Sequence, residues 1–195
     1  MGAPATRSRI LVSARDIVQR SGFGQLHYAD VSERVGVRGA TIHHYFPHKA
    51  DLGVAVLAEY RVELAARLAE IEGRAATSEE KLLAYVGLYR AILVEDEAHM
   101  CPGGMLAAEV VVLPPELRGE VRGFFDDNEQ WLAAVLSELL GERRLGMGEL
   151  RARARRLLAL LQGALLLARL YGEPGRFDEV AASWPSLVGV APLDD

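Results

Sequence analysis

A single cysteine, Cys101, is all the thiol this chain of 195 residues carries. No intrachain disulfide can form, which excludes the small stapled scaffolds of secreted proteins and fits a reducing, cytoplasmic setting. Aromatic residues are scarce at 7%, yet half of the chain is hydrophobic, so Leu, Ala and Val must build the core. Long apolar runs are also missing. The greasiest stretch, Leu157 to Leu170, is interrupted by Gln162 and Arg169 and falls short of the roughly 20 residues a membrane span needs. Met1 to Arg9 lack the apolar region of a signal peptide. No Gly-rich phosphate loop, Ser-centred elbow or metal-ligand spacing occurs, so neither cofactor, metal nor enzymatic activity is expected.

Charge is present but unevenly placed. Residues 1–50 hold seven Lys/Arg against three acids, a net of +4, and four of the five histidines; the rest of the chain carries −9. A basic head on an acidic body suits a polyanionic partner at one end only.

Apolar residues recur at helical rather than strand spacing, which predicts an all-α fold of about nine helices. Ile10, Ala14, Ile17 and Val18 form one stripe, stopped by Gly22. Short helices fit Tyr28 to Val35 and Gly39 to Tyr45, with Gly36-Val37 as a tight turn and Pro47 closing the second. A long helix is expected from Lys49 to Ile71. Thr77 and Glu80 have capping-box spacing for the next, Glu79 to Ala98. Pro102-Gly103-Gly104 reads as a break before a short helix from Met105 to Val112. Pro115 is placed to open a helix to Leu140. After a loop from Gly141 to Gly148, two more helices are expected, Glu149 to Tyr171 and Phe177 to Val190. A division near residue 50, inside the long helix, is expected, which separates residues 1–50 from residues 51–195.

Two short helices joined by a tight Gly turn are a helix-turn-helix pattern, whose second helix enters the major groove of DNA. The stretch Val35-Gly-Val-Arg-Gly-Ala-Thr-Ile-His-His-Tyr-Phe-Pro-His-Lys-Ala-Asp-Leu52 resembles the signature of TetR-family transcriptional regulators. The resemblance extends over about residues 8–55. It implies a one-component repressor that binds a palindromic operator in double-stranded DNA. It places Thr41, His43 and Tyr45 on the DNA-facing helix and Lys49 on a phosphate. Arg38 falls where relatives touch the backbone, and Tyr28 opens the preceding helix near the phosphates. Gly39 and His44 complete the outward set. His43 stands where the family usually has Tyr, Gly39 where it often has Lys or Arg, and Ala40 where Gly is common, so the operator cannot be borrowed from a relative. As a metal cluster, His43, His44 and His48 are poorly arranged: adjacent helical residues diverge by about 100°.

Relatives use the remaining helices for ligand binding and homodimerisation, usually through the last two long ones. Leu157, Leu161, Leu165, Leu158, Ala164 and Ala168 offer an apolar surface wider than one neighbour would cover. Gly163 beside Ala164 permits close helix approach. A small-molecule effector of unspecified identity is expected among the middle helices. Its candidate contacts are Tyr85, Tyr89, Cys101, Met105, Glu109, Phe125, Trp131 and Gln162. Ile92 and Phe124 belong to the same set. Gln162 and Glu109 stand out as polar residues on apolar faces. Cys101 sits at an expected helix start, where a thiolate is favoured. Its Cys-x-x-Gly context resembles a TetR subgroup that includes sensors of reactive electrophiles. Two other readings compete: a helical enzyme with Cys101 and His99 as nucleophile and base, which lacks an orienting acid, and a purely architectural helical module, which leaves the N-terminal motif unexplained.

Overall fold

The computed structural model describes residues 3–141 and 145–189. It is all-helical, with no strand among the described residues. The order is α1 (Ala3–Ser21), α2 (Tyr28–Val35), α3 (Gly39–Tyr45), α4 (Lys49–Arg74), α5 (Ser78–Glu95), α6 (Pro102–Ala108), α7 (Pro115–Leu140), α8 (Met147–Tyr171), α9 (Gly175–Ala181) and α10 (Trp184–Val188).

Most boundaries follow from local chemistry. The α1 stripe of Ile10, Ala14, Ile17 and Val18 is buried. The helix stops at Gly22, which takes the left-handed φ of 85°. The Thr77 capping box forms: Thr77 Oγ1 accepts from the Glu80 amide at 3.2 Å, and Glu80 Oε2 accepts from the Thr77 amide at 3.2 Å. That pairing satisfies two amides a helix start leaves open.

Two boundaries differ from the sequence expectation. Pro102 starts a helix instead of breaking one, because its missing N–H falls in the first turn, where no intrahelical bond is lost. The helix therefore covers Pro102–Ala108 rather than Met105 to Val112, and Val110, Val111 and Val112 lie exposed in the turns beyond it. The expected helix from Phe177 is divided into α9 and α10. Pro185 supplies no N–H for the Ala181 carbonyl and its ring crowds that carbonyl, so a continuous helix cannot pass. Val190, its expected end, lies outside the described residues, as do residues 142–144 of the expected loop.

The chain packs as two compact units. The first takes in residues up to Leu64 together with Cys101–Phe124, and the second Ala65–Met100 with the residues from Phe125 on. In the first, Leu11, Leu26, Val31, Ile42, Leu52, Leu57, Leu106, Leu117 and Phe124 are buried, and an Arg61–Glu120 ion pair at 2.6 Å joins α4 to α7. In the second, α8 packs against α5, α9 and α10. Leu82, Leu132, Leu136, Leu161, Phe177 and Trp184 form its centre. Lys81 reaches both Glu72 and Glu138, at 2.6 and 2.8 Å.

The six residues expected to spread over an interface surface, Leu157, Leu158, Leu161, Ala164, Leu165 and Ala168, are all buried within the chain. The reason is that three elements cover α8 from more than one side. The large apolar side chains α8 leaves exposed are Met147 at its start and Leu166, Leu167, Leu170 and Tyr171 toward its end.

Candidate functional site

The turn between α2 and α3 is built from one left-handed residue. Gly36 has φ 70° and its N–H donates to the Ser32 and Glu33 carbonyls, while the Val37 N–H reaches Ser32 O at 3.1 Å. The Ser32 hydroxyl donates to the Val37 carbonyl, and the Arg9 guanidinium on α1 donates to the Val35 carbonyl. Asp16 of α1 pairs with both Arg20 and Arg34, which fixes α1 to α2. These contacts hold the two short helices, neither long enough to be stable alone.

Only Ile42 of α3 is buried, with Phe46 just beyond it. Arg38, His43 and His44 are exposed; Gly39, Thr41 and Tyr45 are half-exposed. The predicted outer face of α3 is thus brought together on one short, open helix. The His43 ring meets the Tyr28 ring edge-on at 4.7 Å, and His44 meets Tyr45 at 5.3 Å. Tyr28 is anchored: its hydroxyl donates to the Phe46 carbonyl at 2.6 Å. Burial, reinforced by the Asp51 carboxylate, pushes its phenol up to about 12. Tyr28 therefore stays neutral and braces His43.

Lys49 stands at the start of α4. Its Nζ donates to the Gly24 carbonyl at 3.1 Å and lies 4.6 Å from the centre of the Phe23 ring. Burial lowers its pKa, and the nearby Glu109 carboxylate works against that. One of its three donors is engaged by Gly24, and an ammonium has two more for a phosphate.

The residues expected around an effector fall into both units. In the second unit, Tyr85 and Tyr89 of α5, Trp131 of α7 and Gln162 of α8 form one cluster. The Tyr85 ring stacks on Trp131 at 5.4 Å and meets Tyr89 at 5.7 Å. Gln162 Nε2 donates to the Tyr89 hydroxyl at 3.3 Å. Asn128, which sequence reasoning missed, accepts a 2.6 Å hydrogen bond from the Tyr85 hydroxyl and is the one fully buried polar residue noted among the described residues. A polar residue on the apolar face of α7 was the available signal, the same one that marked Gln162. Trp131 Nε1 and Gln162 Oε1 are buried with no hydrogen-bond partner. Phe125, in the same unit, is half-buried.

Cys101, Met105 and Glu109 belong to the first unit, on and around α6. Cys101 is buried, 1% exposed, and precedes Pro102 as the N-cap residue. Met105 is half-buried. Glu109 faces the turn between α1 and α2, where Gly24 donates its N–H to Oε2 at 3.0 Å. A separate groove of about 650 Å³ runs between the end of α4 and α5, lined by Arg67, Ile71, Arg74, Ala84 and Leu88 among others. None of the residues chosen from sequence lines it. No group of three or more His, Cys, Asp or Glu that could hold a metal occurs among the described residues, nor does a helix long and apolar enough to cross a membrane.

A braced helix-turn-helix with an open second helix, carried on an all-helical chain, defines a DNA-binding regulator. The chain belongs to the TetR family of transcriptional regulators. Residues 10–56 match the family described as bacterial regulatory proteins, tetR family. A TetR-family transcriptional regulator from Agrobacterium tumefaciens is 34% identical, with 97% of this chain and 100% of that one covered and a TM-score of 0.88. A TetR transcriptional regulator from Legionella pneumophila is 30% identical, covering 95% and 98%, with a TM-score of 0.84. The HTH-type transcriptional repressor NemR of Escherichia coli K12 is 25% identical over 171 residues, covering 85% of this chain and 84% of that one. These relatives are regulators, which sets the enzyme reading aside.

Proposed function

We propose that this regulator is a ligand-responsive repressor that acts in the cytoplasm. It holds a palindromic operator as a homodimer and releases it when a small molecule or electrophile occupies the region C-terminal to residue 50. In this reading residues 1–50 bind DNA and 51–195 bind effector and partner. The observation that carries it is α3, which buries Ile42 and turns Arg38, His43 and His44 to solvent. Thr41, His43, His44 and Tyr45 read base edges; Arg38, Gly39, Tyr28 and Lys49 serve the backbone. Repression is what NemR is named for, and the +4 charge of residues 1–50 favours phosphate binding.

Homodimerisation through the C-terminal helices is supported by one face of α8. Gly163, Leu166, Leu167 and Leu170 follow helical spacing, the three leucines are exposed, and a Cβ on Gly163 would meet nothing within 4 Å. That combination permits close approach of another helix. For the effector, Tyr85, Tyr89, Phe125, Trp131 and Gln162 are proposed as one contact set. The unpartnered Trp131 donor and Gln162 acceptor favour an uncharged molecule that accepts one hydrogen bond and donates another. Cys101 and Met105, near the start of α6, are the proposed second, thiol-based contact, with Glu109 at its far end.

The test is selection of genomic fragments by the purified protein, followed by titration of the recovered fragment across a salt series. Retention of a palindromic fragment, with affinity falling steeply as salt rises, is the expected result. A protein that retains no fragment at any salt overturns the reading.

A further inference from the structure

Glu109 follows α6 as its C-cap residue, and its carboxylate is placed on three groups of the DNA-binding helices. Oε2 accepts the Gly24 N–H at 3.0 Å. Oε1 occupies the space a side chain at residue 22 would need; a Cβ on Gly22 would fall inside contact distance of the carboxylate. The same carboxylate acts electrostatically on Lys49, whose Nζ donates to the Gly24 carbonyl. Both polar ends of Gly24 are therefore held by side chains, the N–H from α6 and the carbonyl from α4. Phe23, between the two glycines, is buried under the Lys49 ammonium and packs where a Cβ on Gly53 of α4 would come within 2.8 Å of its ring.

We propose that Glu109 is a positioning residue for DNA binding: its carboxylate fixes the α1–α2 turn to the end of α6 and thereby sets the pose of α2, α3 and Lys49. The turn has no cap of its own at the next helix. His27, the N-cap of α2, makes no side-chain cap hydrogen bond, and the backbone bond within the turn runs from Leu26 N to Phe23 O at 3.0 Å. A charge-assisted bond from outside the turn is the kind of contact that selects one conformation of such a loop. The separation of 85 residues between Gly24 and Glu109 makes the bond a tertiary one, so any shift of α6 is delivered to the turn. Cys101 lies at the opposite end of this seven-residue helix, about 12 Å away at the helical rise. The transmission of an effector signal along it rests on the proposed function; the positioning role does not.

The experiment compares full-length wild type, Glu109→Ala and Glu109→Gln on a genomic fragment recovered with the wild type and on a scrambled duplex of the same length. Gln is isosteric and keeps an acceptor for Gly24; Ala removes it. Glu109→Ala is expected to lose about tenfold in affinity for the recovered fragment, the order expected when a charged hydrogen bond is lost, with little change on the scrambled duplex. Glu109→Gln should stay within about threefold of wild type on the same scale. Amide exchange at Gly24, read in the DNA-free proteins, should accelerate in Glu109→Ala and not in Glu109→Gln, which separates a lost latch from general destabilisation. A wild type that retains no fragment overturns the DNA-binding reading itself. A wild type that retains one, with Glu109→Ala binding it equally tightly, overturns the positioning role alone.

Discussion

Gly22→Ala and Gly36→Ala are both substitutions at left-handed backbone, φ 85° and φ 70°, yet their surroundings differ. A Cβ at Gly36 meets nothing within 4 Å, whereas one at Gly22 collides with the Glu109 carboxylate. Forcing an L-residue into this region costs about 1–2 kcal/mol. Alanine also narrows the unfolded ensemble, which returns about 0.4–1 kcal/mol at either site. These two contributions are common to both variants and cancel between them. What remains at Gly22 is displacement of Glu109 and loss of its bond to Gly24, about 1–3 kcal/mol for a hydrogen bond to a charged group. Gly22→Ala should therefore be the more destabilising by that margin. Urea unfolding at one fixed protein concentration reads it as a lower midpoint with an unchanged slope. The decisive measurement is a double-mutant cycle. In a Glu109→Ala background the collision partner is absent, so Gly22→Ala should fall to the cost of Gly36→Ala, leaving a coupling equal to that margin, about 1–3 kcal/mol. If the cycle closes to within about 0.3 kcal/mol, the carboxylate does not occupy the Gly22 space and the reasoning fails.

Lys49→Ala should weaken binding to every duplex alike and reduce the slope of log affinity against log salt by about 0.9, whereas His43→Ala should reduce discrimination between the recovered fragment and a scrambled one; titrations on both duplexes separate the two. Gly103→Ala places a Cβ against the buried Phe124 ring and should destabilise by about 1–3 kcal/mol through overpacking, measured by urea unfolding. Tyr28 has its phenol raised to about 12 from the ordinary 10.0, so the folded state favours the neutral form. Its contribution is complete below about 10 and is lost as pH rises through about 12; the difference in phenolate absorbance between wild type and Tyr28→Phe should show an ionisation above 10, and one at the ordinary value would refute it.

Elements specified by neighbouring residues were legible in the sequence. Gly36 with Val37 announced the turn, and Thr77 with Glu80 a helix start, because caps and turns are settled within a few residues. Proline was ambiguous. Pro102 reads equally as the end of one helix or the first residue of another, and its position in the turn decides. Pro185 was passed over within an otherwise helical pattern. The polar cluster was half legible: Gln162 stood out as a polar residue on an apolar face and the α5 tyrosines were among the candidates, whereas Asn128 carried the same signal on α7 and was passed over. Glu109 was marked correctly as an unusual polar residue and assigned to the effector set. Nothing local connects it with Gly24, since the contact is created only when α6 folds onto α1.

The core of the first unit is not contributed by one continuous stretch of chain. Leu117 of α7 approaches Gly53, and Phe124 lies over Gly103, within the same packed unit as the helix-turn-helix. A gene fragment cut after α4 would lack Cys101–Phe124 and leave that hydrophobic surface bare. The helix-turn-helix of this protein is therefore not a transplantable cassette. A chimera that exchanges heads between relatives must carry both segments, and recombination that moves residues 1–64 alone would tend to yield an insoluble product rather than a regulator with a new target.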